Sequence, residues 1–112
     1  MGGNLALTRY AAMSTRWASN WSDSQWWRVD LGSAKQVGRV TIDWESAYAR
    51  SYRIETSLDG SSWSTAATVT AGQGGTEVTA FAPRSARYVR LAFTGRATTY
   101  GYSIYEVNVQ SR

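Results

Sequence analysis

Strict alternation of apolar and polar residues, in short runs closed by Gly, Ser or Asp, is the feature that most constrains this chain. The run Trp26-Trp27-Arg28-Val29-Asp30-Leu31 alternates and stops at Gly32. Val37 to Trp44 sets Val40, Ile42 and Trp44 on one face and Arg39, Thr41 and Asp43 on the other. Ser51 to Ser57 groups Tyr52, Ile54 and Thr56 and leads into Leu58-Asp59-Gly60-Ser61, a turn signal. Trp63 to Val69, Glu77 to Phe81, Arg87 to Phe93 and Ser103 to Val109 obey the same rule. A period of two sends successive side chains to opposite faces of a pleated strand. No window keeps a helical period, and Arg9 to Met13 allows one turn at most. The pattern predicts an all-β fold, an antiparallel β-sandwich or jelly roll of about eight strands. With no repeat and no linker, residues 1–112 read as a single domain. Ala71-Gly72-Gln73-Gly74-Gly75 reads as a mobile loop, because a glycine-rich phosphate cradle should open a helix. Pro83 reads as a residue between strands, where its missing donor does no harm.

The chain has no Cys and no His. That excludes thiol nucleophiles, disulfides, imidazole bases and the usual zinc and iron ligands. Any metal would be held by oxygen, calcium above all. The formal charge of +4 rests on arginine, with Lys35 the only lysine, and it permits anionic partners without requiring them. No apolar run approaches the ~18 residues that cross a bilayer. Six Trp and seven Tyr exceed what a core of this size needs. Trp17, Trp26, Trp27, Trp44 and Trp63 read as core or sheet packing. Trp21 lies in the polar Asn20-Trp21-Ser22-Asp23 and reads as a binding platform, because an indole offers rigid apolar area.

Several stretches, in this order, resemble discoidin (coagulation-factor type C) domains. They are Asn4-Leu5-Ala6-Leu7, Ser14-Thr15-Arg16-Trp17-Ala18-Ser19, and Gln25-Trp26-Trp27-Arg28-Val29-Asp30-Leu31-Gly32. The likeness continues in Tyr52-Arg53-Ile54-Glu55-Thr56-Ser57-Leu58-Asp59-Gly60-Ser61-Ser62-Trp63, in Ala86-Arg87-Tyr88-Val89-Arg90-Leu91 and in Tyr100-Gly101-Tyr102-Ser103-Ile104-Tyr105-Glu106-Val107. Trp44 to Tyr52 and Gly95 to Ser103 are similar to the modules of bacterial chitosan and β-glucan hydrolases. The absence of cysteines favours that bacterial branch over the animal one. One departure is plain: only Thr8 to Met13 separate the opening strand from the Thr-Arg-Trp motif, and the family's Asp-Gly-Asn turn is missing. A natural deletion or a minimised domain would both give this text.

The resemblance implies a discoidin-like sandwich that binds carbohydrate on the loops at one end. It places the site at Arg16, Trp21, Glu45 and Tyr100, with Tyr48 and Arg96 in the two chitosanase-like stretches. Arginine can fork two hydrogen bonds to neighbouring hydroxyls, and Glu45 can accept from hydroxyls or from an amino-sugar ammonium. The other readings are an ion pair of Arg16 with Asp23 or Asp30, and a solvated loop carboxylate for Glu45. Of Tyr100 and Tyr102, one is core, and the family makes Tyr100 the exposed one. Thr15 and Glu106 match calcium-binding positions, but the acidic turn is missing, so no cofactor is expected beyond that structural calcium.

The expected function is a non-catalytic carbohydrate-binding module for a chitosan- or β-glucan-type saccharide, secreted as part of its parent protein. A glycosidase needs two carboxylates about 5–9.5 Å apart around a cleft, and Glu45 with Asp43 or Glu55 does not supply them. Membrane insertion would call for paired apolar spikes, and the candidate loops are polar around single aromatics. Nucleic acid is disfavoured because the arginines are scattered. A scaffold whose binding the deletion has impaired is the remaining alternative.

Overall fold

The computed structural model describes residues 9–13, 17–18, 25–96 and 102–111, with side chains from 26 to 96 and from 102 to 111. It holds seven strands: β1 (Arg9–Met13), β2 (Trp17–Ala18), β3 (Gln25–Trp44), β4 (Ala49–Ser57), β5 (Ser64–Val69), β6 (Thr76–Arg96) and β7 (Ser103–Gln110). All pairings are antiparallel, in the order β1-β7-β3-β6-β4-β5, with β2 also on β7.

Two long strands turn this one sheet into two layers. The first half of β3 pairs with the second half of β6, from Gln25↔Phe93 to Asp30↔Tyr88, and β4 and β5 extend that layer. The second half of β3 pairs with the first half of β6 and with β7. Strands that pass between layers make the corners of such packings. The β3 corner is at Gly32, whose φ of 89° favours glycine and whose N–H donates to Asp30 Oδ1 at 2.8 Å. The runs on either side of Gly32 are therefore halves of one bent strand. Pro83 likewise lies inside β6 and not between strands. It sits where the ladder to β3 skips from Ala80 to Arg84, so no pairing bond is lost. These mergers lower the number of strands and β1 and β2 add to it, so the described residues hold seven strands where about eight were expected for the chain. Arg9 to Met13 is strand, because β7 offers it an edge from Gln110 to Val107.

The inward faces follow the alternation. Val40, Ile42 and Trp44 meet Val107, Val109 and Ile104 from one layer, and Tyr52, Ile54, Val89, Leu91 and Phe93 from the other, all buried. Trp27, Val29 and Leu31 pack against this core. Trp26 therefore faces outward and is 59% exposed, which corrects its reading as packing. The Thr76–Phe81 stretch inverts the hydrophobic rule. Val78 is exposed, while Glu77 and Thr79 alternate with it and are half-buried beside the buried Phe81.

Glu77 explains the inversion. Its Oε1 accepts from the Trp44 indole N–H at 2.7 Å and from the Tyr52 hydroxyl at 3.0 Å. Its Oε2 accepts from the Gln73 N–H at 2.8 Å. Buried aromatic N–H and O–H groups need acceptors, and a carboxylate serves several at once. The glycine stretch is thereby anchored. Trp44 N–H donates to Gly75 O at 2.8 Å and Gly72 N–H to Arg50 O at 2.7 Å, which corrects its reading as a mobile loop.

Two expectations follow. Glu77→Ala leaves three donors without their acceptor and should cost about 3 kcal/mol or more, lowering Tm by at least about 10 °C in a thermal melt. At the β4–β5 turn, Asp59 Oδ1 accepts from Ser61 N–H and Ser62 N–H at 2.8 Å each and from Ser57 Oγ at 3.0 Å. The Ser62 and Ser61 amides, in that order, hold its carboxyl below the usual carboxylate range. A lowered folded value gives stability that is present above the ordinary value of about 4 and is lost as pH falls through the folded one. Thermal melts between about pH 5 and 2 should fall less steeply for Asp59→Asn than for the parent.

Candidate functional site

One end of the sandwich gathers the described candidates. Trp44 closes β3 and Ala49 opens β4, with Glu45 and Tyr48 in the connection. That connection is pinned to β7, because Glu45 N–H donates to Ser103 O at 3.0 Å and Ser103 N–H to Ala47 O at 2.7 Å. Ala49 lies opposite Arg96, the last residue of β6. Glu45, Tyr48 and Arg96 are all partly exposed there.

Arg16, Trp21 and Tyr100 lie outside the described residues, as does Thr15. The strand ends that border their segments are at this same end. Trp17 and Ala18 pair with Ile104 and Ser103, Gln25 pairs with Phe93, and segment 97–101 runs from Arg96 to Tyr102. Tyr102 is fully buried in the core.

Beneath these strand ends is a rigid aromatic base. Trp44 and Phe93 meet edge-on at 5.4 Å, Trp44 and Tyr52 at 5.8 Å, and Phe93 and Tyr102 lie 4.9 Å apart. Such ring pairs add about 0.5–1.5 kcal/mol each beyond their buried area. Burial first, then the Glu77 carboxylate, pushes the Tyr52 hydroxyl above its usual range, so it stays a neutral donor. Tyr48 packs its ring on the core and against Gly74.

The other described carboxylates are engaged elsewhere. Asp43 Oδ1 accepts from Thr76 Oγ1 at 2.7 Å. Glu55 is buried between Arg90 and Arg53 at 2.7 and 3.3 Å. Asp30 takes a two-pronged bond from Arg87 at 2.9 and 3.1 Å. Those Arg87 bonds hold the Asp30 carboxyl below the usual range. Glu106 accepts from Asn108 Nδ2 at 3.1 Å, and the described residues hold no cluster of three or more acids that could bind a metal. A cavity of about 470 Å³ at the opposite end, between Ser57, Asp59, Ser64 and Arg84, has no aromatic in its lining and so no stacking surface.

The sequence pattern misplaces Trp26 in the packing and gives Glu77 no role. Trp26 was legible, since it shares an alternation parity with Arg28 and Asp30. Glu77 had no such signal, because its partners are thirty-three and twenty-five positions away.

Gly74 tests the support of the site. Its φ is +77°, and a Cβ there would come within 2.9 Å of the Tyr48 ring. Gly74→Ala should cost about 1–3 kcal/mol and displace Tyr48, read as a lower Tm with shifted Tyr48 ring signals in NMR.

Comparison with known proteins accords with this geometry. Residues 3–91 match the F5/F8 type C family described as the NedA-like, galactose-binding domain. Chitosan-binding module 1 from a chitosanase/glucanase of Paenibacillus sp. IK-5 is 47% identical, with a TM-score of 0.81 over 86% of this chain and 76% of that one. Module 2 of the same enzyme, solved with chitotriose, is 42% identical, with a TM-score of 0.80 over 85% and 76%. The CBM32 of AlyQ, solved with 4,5-unsaturated mannuronic acid, is 29% identical, with a TM-score of 0.70 over 94% and 93%. No curated protein matches the chain. The two-layer antiparallel fold, the match over most of the length and the identity to the Paenibacillus modules make this chain a member of the discoidin-like F5/F8 type C family, in its NedA-like, galactose-binding branch.

Proposed function

We propose that the chain is a non-catalytic carbohydrate-binding module that takes a chitosan-type oligosaccharide, or a β-glucan, at the end built by Glu45, Tyr48 and Arg96. Arg16, Trp21 and Tyr100 complete the site from the adjoining segments. The observation that carries this reading is the convergence of those strand ends over the Trp44, Tyr52, Phe93 and Tyr102 base. The identity to modules described as chitosan-binding, one of them solved with chitotriose, supports the ligand class.

The chemistry assigns a part to each side chain. The C–H face of a pyranose stacks on Trp21, Arg16 and Arg96 donate to hydroxyls, and Glu45 meets the ammonium of a glucosamine unit. No hydrolysis accompanies binding in this reading, because Asp43 is bonded to Thr76 and Glu55 to two arginines, so neither is poised as the second carboxylate that a glycosidase sets beside Glu45. Secretion of the parent protein belongs to the same reading, since the polymer lies outside the cell.

Calorimetric titration with chitotriose and with laminaritriose tests it. One shallow site should give micromolar to millimolar affinity. Trp21→Ala should weaken binding by about 1–3 kcal/mol with Tm unchanged. Glu45→Gln should weaken chitotriose more than laminaritriose, since only the former brings an ammonium. A Trp21→Ala variant that binds normally but melts earlier would make Trp21 a core residue. Equal losses for both sugars would remove the preference for chitosan.

A further inference from the structure

Trp26 stands on the outer face of the β3-β6-β4 layer and is 59% exposed. The register puts Ala92 of β6 beside it and Arg53 of β4 beyond. With strands about 4.8 Å apart, the indole and the Arg53 side chain rise about 10 Å from each other, with the Ala92 methyl as the floor. Arg90 with Glu55 closes one end and Thr94 the other, and the trough measures about 240 Å³.

The guanidinium groups around it are held in place. Arg90 Nε donates to Glu55 Oε1 at 2.7 Å, and its Cζ lies 4.1 Å over the Trp63 ring. Arg53 Nε donates to Glu55 Oε2 at 3.3 Å. Arg28 lies 5.4 Å from the Tyr88 ring and 5.9 Å from that of Trp63. Among the described residues, both Glu55 bonds use Nε, and the Nη groups of Arg53 and Arg90 make no hydrogen bond. Stacking and ion pairing thus fix two arginine forks before any ligand arrives, which spares the entropy of ordering them. Three guanidinium groups face one carboxylate, itself only 7% exposed, so the face is positive and offers little to an ammonium.

We propose that this trough is a second saccharide site, separate from the loop end, that takes a uronic-acid residue of an acidic polysaccharide. The sugar ring packs on the Trp26 indole, and its carboxylate accepts from the Nη groups of Arg53 and Arg90. Flat sugar faces suit an exposed indole, and planar carboxylates suit paired guanidinium groups.

The probe is a galacturonate hexamer, with its methyl ester as the uncharged control, followed by NMR through the Trp26 indole N–H, which Trp26→Ala identifies by its loss. The acid should move that signal with millimolar affinity, several-fold weaker at about 0.3 M than at about 0.05 M salt. Trp26→Ala, followed through the Ala92 and Arg53 backbone amides, and Arg53→Gln should each weaken binding about tenfold without lowering Tm, and the ester should bind about tenfold more weakly than the acid. An indole signal unmoved at about 20 mM hexamer would overturn the proposal. So would equal binding of the ester, full affinity in either variant, or shifts confined to Glu45 and Arg96. Loss of a dimer in Trp26→Ala would overturn it too, by making the face a contact between copies.

Discussion

Burying Trp44 and Tyr52 at the centre of this sandwich creates an electrostatic demand, and the Glu77 carboxylate meets it. An indole N–H and a phenol O–H removed from water without an acceptor would each cost about 1–3 kcal/mol. Glu77 takes both on one oxygen and gives the other to the backbone of Gln73. The same carboxylate therefore fixes the ring geometry between layers and the path of the glycine loop. The aromatic base of the site, and through Gly74 the seat of Tyr48, both depend on it.

The two ends and the outer face of the molecule differ in chemical character. At the loop end, Glu45 and Arg96 stand near a neutral aromatic base. On the outer face, arginines alternate with Trp63 and Tyr88, Glu55 is buried between two of them and Asp30 is bonded to Arg87.

The layers of the core were legible because burial and periodicity agree along most strands. Val40, Ile42 and Trp44, then Tyr52 and Ile54, fall where alternation puts them. The corners were not legible, because a strand that bends at Gly32 and one that bends past Pro83 look in the text like breaks. Glu77 escaped for a related reason: a charged residue on a half-buried face contradicts hydrophobic patterning until its distant donors are known. Glu45, Tyr48 and Arg96 lie at one end, while Arg16, Trp21 and Tyr100 lie outside the described residues. Trp26 was misassigned because a Trp-rich run invites a core reading, although parity with Arg28 already set it outside.

The long ladder between β3 and β6 also sets how this chain must fold. Gln25 finds Phe93 and Asp43 finds Thr76, so neither half of the ladder can form from neighbours in sequence. Closing such loops costs entropy before any pairing is gained, and chains dominated by distant contacts fold in milliseconds to seconds. The β4–β5 hairpin, closed by the Asp59 turn, is the local unit available early, yet a lone hairpin is marginal in water. During synthesis, β3 emerges well before its partner and waits with Trp26 and Trp27 uncovered. A tryptophan-rich strand in that state is an aggregation hazard, and the alternating Arg28 and Asp30 supply the charges that restrain it.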